Sequence, residues 1–425
     1  MSGSRIAPWL TESRWPTVPI RLVARLGSGH TPSRSKPEYW TDCTARWITL
    51  ADVWQLRSGQ RNIITETKEM ISPLGLANSS AVLHPPGTVI LSRTASVGFS
   101  AIMGTEMATS QDFATWTCGP RLEPRYLLHA LRGMAPDLRR IATGSTHKTI
   151  YMPDIEQLRI PLPPVDEQCR IADFLDAETS RIDHLVSLRT HQHTLLENRF
   201  SVAVREQFLA FDTTPTRLKF LLAARPRYGV LVPKYVASGV KFIRVNDLLN
   251  LEGRADNLLQ ISTDVSQQYP TTVVRKNDVL VSVVGTLGRA VVTPASLSGA
   301  NVNRAIAVLR TNPGINRNLL TSWINSEGFQ TQAVLATGND SAQRTLGMED
   351  LSNFTLRWPT DKDSQTRLAT RVSEMEKETR TLERLLLLQI GSLKERRQTL
   401  ITAAVTGQFD VSTASGRNVT DGVSA

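Results

Sequence analysis

"IPLPPVDEQCRIADFLDAETSRIDHLV", Ile160–Val186, begins as a proline-punctuated extended stretch and turns after Pro164 into a charged run with apolar residues at helical spacing. Proline has no N–H to give and its ring clashes with the preceding turn. Pro161, Pro163 and Pro164 therefore exclude a helix interior up to that point and admit a helix from there on. The same junction recurs about 200 residues later in "LRWPTDKDSQTRLATRVSEMEKETRTL", Leu356–Leu382. A chain that builds one junction twice has duplicated what lies in front of it and behind it.

In front of the junction three further pairs of segments recur in the same order. "RWITLADV" (Arg46–Val53) parallels "KFIRVNDL" (Lys241–Leu248), each an apolar run that reaches an Asp. "GTVILSRTASVGFSAIM" (Gly87–Met103) parallels "NDVLVSVVGTLGRAVVT" (Asn277–Thr293), with Ser92 on Ser282 and Gly98 on Gly288. Both read as β-hairpins closed by a glycine turn. "ATGSTHKTIYMPDI" (Ala142–Ile155) parallels "ATGNDSAQRTLGMEDL" (Ala336–Leu351) and leads each half into its junction. Agreement in one segment arises by chance; agreement in an ordered series marks an internal repeat.

Behind each junction runs a long helical pattern. Leu368, Val372, Met375, Thr379, Leu382, Leu386, Gln389, Leu393, Arg396 and Leu400 alternate spacings of four and three, which is a heptad seam. The first helix carries the more polar series Ile171, Leu175, Glu178, Ile182, Leu185, Arg189, Gln192, Leu196, Arg199 and Ala203, widened by Phe174, Leu188 and Leu195. A single amphipathic helix ordinarily packs on its own domain. Each of these spans about 40 residues, hence about 60 Å at 1.5 Å per residue, longer than a half-chain domain is wide. Two such helices can bury their stripes on each other as an antiparallel coiled coil, with the two halves related by a pseudo-two-fold axis.

The bulk properties fit. A chain of 425 residues is long enough for two domains or more, each with its own core. "MSGSRIAPWL" lacks the apolar core of a secretory signal and no run of about 18 apolar residues exists, so a cytoplasmic protein with no membrane association is expected. Cys43, Cys118 and Cys169 are isolated, which makes neither a zinc cluster nor a disulfide framework. The 49 Lys+Arg against 39 Asp+Glu, net +10, favour a polyanionic partner, and the commonest is nucleic acid.

The two stretches "IPLPPVDEQCRIADFLDAETSRID" (Ile160–Asp183) and "LKERRQTLITAAVTGQFDV" (Leu393–Val411), with the duplicated strand-rich halves, resemble the specificity subunit of type I restriction–modification systems. The resemblance covers about residues 15 to 411. It implies an α+β chain in which two strand-rich α/β target recognition domains are each followed by a long helix, the helices pairing as an antiparallel coiled coil. The boundaries expected are residues 1–165 for the first recognition domain, 166–212 for the first spacer helix, 213–362 for the second domain, 363–408 for the second helix, and 409–425 for a polar tail. It further implies a non-catalytic subunit that reads a bipartite target in double-stranded DNA. Such a subunit docks two modification (methyltransferase) subunits and the ATP-dependent restriction subunits, which bring the S-adenosylmethionine and ATP chemistry; it needs no cofactor of its own. The second junction departs from the pattern: it keeps Gln365, Arg367 and Ala369 but lacks the double proline.

Read by themselves, the residues offer no catalyst and no metal site. A methyltransferase needs an Asn-Pro-Pro-aromatic element, whereas the Pro-Pro pairs here sit in "HPPG" (His84–Gly87) and "LPPV" (Leu162–Val165). A translocase needs GxxxxGK[ST], and "GSGHTPSRSK" (Gly27–Lys36) lacks its end. His191 and His193 lie two apart on a helix and so point to different sides.

Base recognition needs polar and basic side chains on loops held by a rigid scaffold. In the first half "SRTASVGF", "RRIATGSTHKT" and "SRSK" (Ser33–Lys36) supply them. The candidate DNA-binding residues there are Arg93, Thr94, Ser96, Arg139, Arg140, Ser145, Thr146, His147 and Lys148. In the second half "TLGR", "NVNR" and "NDSAQRT" supply Thr286, Arg289, Asn303, Arg304, Asn339, Ser341, Gln343 and Arg344. The halves agree up to "ATG" and diverge after it, as two readers of different sequences require. The competing expectation is a coiled-coil scaffold for protein partners with incidental basic charge, which leaves the duplicated domains unexplained.

Overall fold

The structure, a computed structural model, describes residues 7–57, 61–143, 148–338, 344–408 and 410–411. Both expected hairpins form. Val89–Ser92 pairs antiparallel with Ser100–Met103, Val89 opposite Ile102; Val279–Ser282 pairs with Ala290–Val292, Val279 opposite Val292. Their turns carry the same hydrogen bonds. Ser92 N–H donates to Phe99 O (2.8 Å) and Gly98 N–H to Ser92 O (3.0 Å), as Ser282 N–H does to Arg289 O (2.9 Å) and Gly288 N–H to Ser282 O (2.9 Å). The turns need glycine because φ is +90° at Gly98 and +75° at Gly288. A Cβ at Gly288 would also lie 2.7 Å from the Phe329 ring.

The chain divides into two compact units, residues 1–190 with 388–425, and residues 191–387. The longer helices are α1 (Pro124–Ile141), α2 (Val165–Ala210), α3 (Arg317–Ile324), α4 (Glu327–Thr337) and α5 (Lys362–Thr406). In the first unit a five-stranded sheet runs in the order Ala24–Ser28, Phe113–Cys118, Val89–Ser92, Ser100–Met103, Ile63–Ile64. The apolar face of α1, with Leu127, Leu131, Met134 and Leu138, shares a core with Val89, Leu91 and Trp116 of this sheet. In the second unit the corresponding four-stranded sheet packs its Val279, Val281 and Leu309 with Leu320, Trp323, Phe329 and Ala333 of α3 and α4. Each unit adds a second sheet, three-stranded in the first and four-stranded in the second, with a parallel pair: Trp47 opposite Ala108 in one and Phe242 opposite Asn301 in the other.

The junction is duplicated down to its hydrogen bonds. Buried Gln168, in the first turn of α2, accepts from Glu123 N–H (2.9 Å) and donates to the Arg121 and Pro163 carbonyls. Buried Gln365, in the first turn of α5, accepts from Asn316 N–H (3.0 Å) and donates to Pro359 O. In each unit one amide side chain thus ties the start of a long helix to the backbone that enters the helical layer. It satisfies groups that would cost about 1–3 kcal/mol each if left buried and unpaired.

The long helices pack against each other within each unit. In the first, Ile171, Leu175 and Ile182 of α2 share the core with Leu400, Ile401, Ala404 and Val405 of α5. Asp183 of α2 meets Arg397 of α5 at 2.9 Å, and further along α2 Arg189 faces the earlier Gln389 across a shared cleft, so the pair is antiparallel. In the second unit Val204 and Phe208 meet Leu368 and Val372. The seam differs from the heptad reading at alternate positions. Leu185, Gln192 and Arg199 face outward, and Val186, His193 and Phe200 take the inward positions; on α5 Leu382, Gln389 and Arg396 give way to Glu383, Ile390 and Arg397. An α-helix turns once in 3.6 residues rather than 3.5, so a strict four-three series drifts off the contact line.

A buried ionic cluster joins α1, α2 and α5 in the first unit. Arg132 donates to Asn62 Oδ1 (2.6 Å) and Arg61 O (2.9 Å), and burial lowers its pKa to about 10, so it stays charged. Asp183 is the buried carboxylate beside Arg132 and Arg397. Removing one partner of a buried pair costs about 3–5 kcal/mol. Asp183→Ala is expected to destabilise the first unit by that order in chemical denaturation, and a loss below about 1 kcal/mol would contradict a structural role for the cluster.

His129, fully buried, hydrogen-bonds Asp176 through Nε2 (2.8 Å). Burial pushes its pKa below the ordinary histidine value. Burial alone would raise Asp176, but the bond to His129 and the Arg125 charge hold it below the usual carboxylate range. The unfolded chain therefore takes up both protons more readily than the folded one. Stability from these groups is present above pH 6.5 and is lost as pH falls, first through His129 and then, below 3.8, through Asp176. The unfolding temperature should drop between pH 7 and pH 5, and His129→Gln should flatten that slope; an unchanged slope would refute the assignment.

Candidate nucleic-acid interface

Each hairpin loop is stitched to two other loops by the backbone, in the same pattern. In the first unit Arg93 N–H donates to Asp112 O (2.8 Å), Ala95 N–H to Lys148 O (2.8 Å) and Ile150 N–H to Arg93 O (2.8 Å). In the second, Val283 N–H donates to Ala305 O (2.8 Å), Gly285 N–H to Arg344 O (2.9 Å) and Leu346 N–H to Val283 O (2.8 Å). Thr94 pairs with Thr149 as Val284 pairs with Thr345. Ala95 and Gly285 hold the same left-handed conformation, φ +57° and +75°. The described backbone bonds thus anchor three converging loops in the same way in each unit, with different side chains and, after "ATG", a different loop length.

In the first unit this brings together Arg93, Thr94, Ser96 and Lys148. Lys148 is exposed, while Arg93 is half-buried and donates to Ile150 O (3.3 Å). Arg139 and Arg140 lie exposed in the last turn of α1, Arg139 6.0 Å from the Phe99 ring centre and Arg140 paired with Asp137. In the second unit it brings together Thr286, Arg289, Asn303, Arg304 and Arg344, with Thr286 and Arg304 exposed. Arg93 Nε and Asn303 Oδ1 are buried without a partner, polar atoms left unsatisfied within these loops. Ser145, Thr146, His147, Asn339, Ser341 and Gln343 lie outside the described residues. The Ser33–Lys36 stretch is tied into the fold: Arg34 pairs with Glu69 at 2.5 Å and stacks 3.8 Å from the Trp40 ring centre.

Two kinds of residue escaped the sequence reading. Gln111, exposed in the loop before Phe113, occupies the place that Arg304 holds in the second unit; aligning "ATSQDF" with "NVNRAI" would have found it. Tyr151 follows directly on the Lys148 loop and is 58% exposed, and Tyr228 donates its hydroxyl to Leu346 O (2.8 Å) beside Arg344. An exposed aromatic ring next to basic loops offers a stacking or sugar-contact surface. No spacing rule announces these tyrosines, because contacts distant in sequence place them.

The model for the type I restriction modification DNA specificity domain matches residues 12–186. The EcoBI type I restriction enzyme specificity subunit of Escherichia coli is 27% identical over 316 residues, 67% of this chain and 65% of that protein. The MjaIX specificity subunit of Methanocaldococcus jannaschii is 26% identical over 240 residues, 56% of this chain and 52% of that protein. The matches thus span less than two thirds of these relatives. A solved chain from work on complex assembly and conformational transition of the type I R-M system shares the fold. Its TM-score is 0.64 at 20% identity, over 93% of this chain and 98% of that one.

Proposed function

We propose that the chain belongs to the family of type I restriction–modification specificity subunits and is the non-catalytic subunit that reads a bipartite target in double-stranded DNA. Each unit reads one half-site, and the long helices set the spacing between half-sites. The chain docks two modification subunits, together with restriction subunits, in the cytoplasm. Among the described residues no helix is long and apolar enough to cross a membrane.

The observation that carries this reading is the duplicated three-loop scaffold with different side chains in its two copies. Arg93, Thr94 and Lys148 stand where Val283, Val284 and Arg344 stand in the second unit. A framework kept constant while its polar tips diverge suits two readers of different base sequences. Arginine and lysine at such tips reach guanine edges or phosphates, and each good base contact is worth about 1–3 kcal/mol of discrimination.

The test is a salt titration of duplex DNA binding by the assembled complex. Neutralising several phosphates gives a steep linear fall of log K against log salt. Lys148→Ala should reduce that slope by about one if Lys148 meets a phosphate. Should it meet a base, affinity falls for the first half-site alone while the slope holds. Binding that is flat in salt would contradict the reading, as would a Lys148→Ala complex identical to the wild type. By the same reading the chain alone, given S-adenosylmethionine, ATP and magnesium, leaves DNA unmodified.

A further inference from the structure

We propose that His193, Glu197 and Glu383 form a site for a divalent transition-metal ion that ties α2 to α5. The site lies within the second unit, away from the loops assigned to DNA, and does not depend on that assignment. His193 and Glu197 stand four residues apart on one face of α2, with Nδ1 and Oε2 3.6 Å from each other. Glu383 comes from α5, and one ligand atom from each of the three lies within 4.8 Å of the others. Ligands at about 2.0–2.2 Å from a tetrahedral ion stand about 3.4 Å apart, so small torsional adjustments close the set around one ion.

Charge and packing point the same way. Some glutamates on these helices take arginine partners, as Glu178 does with Arg181 and Glu376 with Arg380. Glu197 and Glu383 converge on each other instead, and among the described residues no lysine or arginine nitrogen lies within 4.0 Å of either carboxylate. This holds in a chain with ten excess positive charges. Two carboxylates brought together with only a histidine, uncharged unless protonated, beside them repel unless a cation joins them. His193 and Glu383 hold inward positions of the seam, between the inward apolar residues Leu196, Phe200, Leu386 and Ile390. A bridging ion there adds a helix-to-helix link to the apolar contacts on either side.

The donor set selects the ion. An imidazole nitrogen disfavours calcium and magnesium, which prefer all-oxygen shells. One nitrogen and two carboxylates, with no thiolate, suit zinc, nickel or cobalt, and binding should weaken from nickel to cobalt to manganese. Three protein ligands leave one position for water.

The experiment uses the full chain in its complex with the modification subunits, stripped with a chelator and then given zinc alone. Wild type, Glu383→Gln, His193→Gln and the control Glu376→Gln are compared by elemental analysis after gel filtration. Visible absorption is read after cobalt replaces zinc. Glu383→Gln keeps the side-chain shape and removes only charge, so it tests binding without unfolding the helix pair. Wild type and Glu376→Gln should retain one more zinc per chain than the two site variants, and the cobalt d–d band should vanish in both of those. Zinc should raise the melting temperature of wild type and not of Glu383→Gln. Equal zinc content in all four proteins, or loss in only one of the two site variants, overturns the proposal.

Discussion

Four residues inserted in each long helix, after Arg189 and after Gln389, are expected to widen the unread gap of the DNA target by one or two base pairs. Arg189 and Gln389 line the same cleft in the first unit, so the added turns meet each other. Four residues advance the helix by about 6 Å and about 400°, which leaves the inward stripe nearly in phase. DNA advances about 3.4 Å per base pair along a strand, which converts 6 Å into one base pair or two. Each added base pair also turns the second half-site by about 34°, so some affinity is lost even as the gap grows. Two inserted residues at the same places rotate the stripe by about 200°. Continuous helices could then no longer make both the contacts of Ile171 and Leu175 with Leu400 and Ile401 and those of Val204 and Phe208 with Leu368 and Val372. That change should abolish assembly or folding. Methylome sequencing of cells carrying the four-residue insertions reads the gap directly, and an active enzyme with an unchanged gap would show that the helices do not set the spacing.

What could be read from residues alone followed the range of the interactions. The hairpins at Ser92 and Ser282 were legible because a left-handed turn leaves few residue choices, and Gly98 and Gly288 sit where that turn falls. The helix pair was legible from Leu368, Val372 and Leu400, all buried as the pattern requires. Its register was not. A four-three template assigned Gln192 and Arg199 inward, whereas the helical pitch and the neighbouring turns bring His193 and Phe200 round instead. The clamp made by Gln168 and Gln365 was visible as a motif but not as a role, because the N–H groups it accepts belong to Glu123 and Asn316, about 45 to 50 residues earlier. Likewise, Tyr126 donates its hydroxyl to the Val405 carbonyl 279 residues away, a contact that no local pattern encodes.

The candidate loops divide in the same manner. Their membership was legible, since Arg93, Lys148, Arg289 and Arg344 all lie on turns between strand patterns. Their convergence came only with the main-chain bonds from Ala95 to Lys148 and from Gly285 to Arg344. Those bonds fix the end of each divergent loop, at Lys148 and at Arg344, to the hairpin. Gln111 and Tyr228 joined the set because they share that anchor, not because their sequence context marks them.

The central claim is that each unit reads its own half of a split DNA sequence. It is tested most directly by replacing residues 15–160 with the equivalent segment of a relative and sequencing the methylated bases of cells that carry the hybrid. The cut leaves α2 and α5 native, and the groups that Gln168 contacts across it are backbone atoms that any relative provides. The ionic cluster also crosses the cut, so the incoming segment must keep Asn62, His129 and Arg132, or have them restored, if the hybrid is to fold. With that condition met, one half of the bipartite methylation motif should become that of the donor, with the other half and the gap unchanged. A motif altered in both halves, or in neither, would contradict the account.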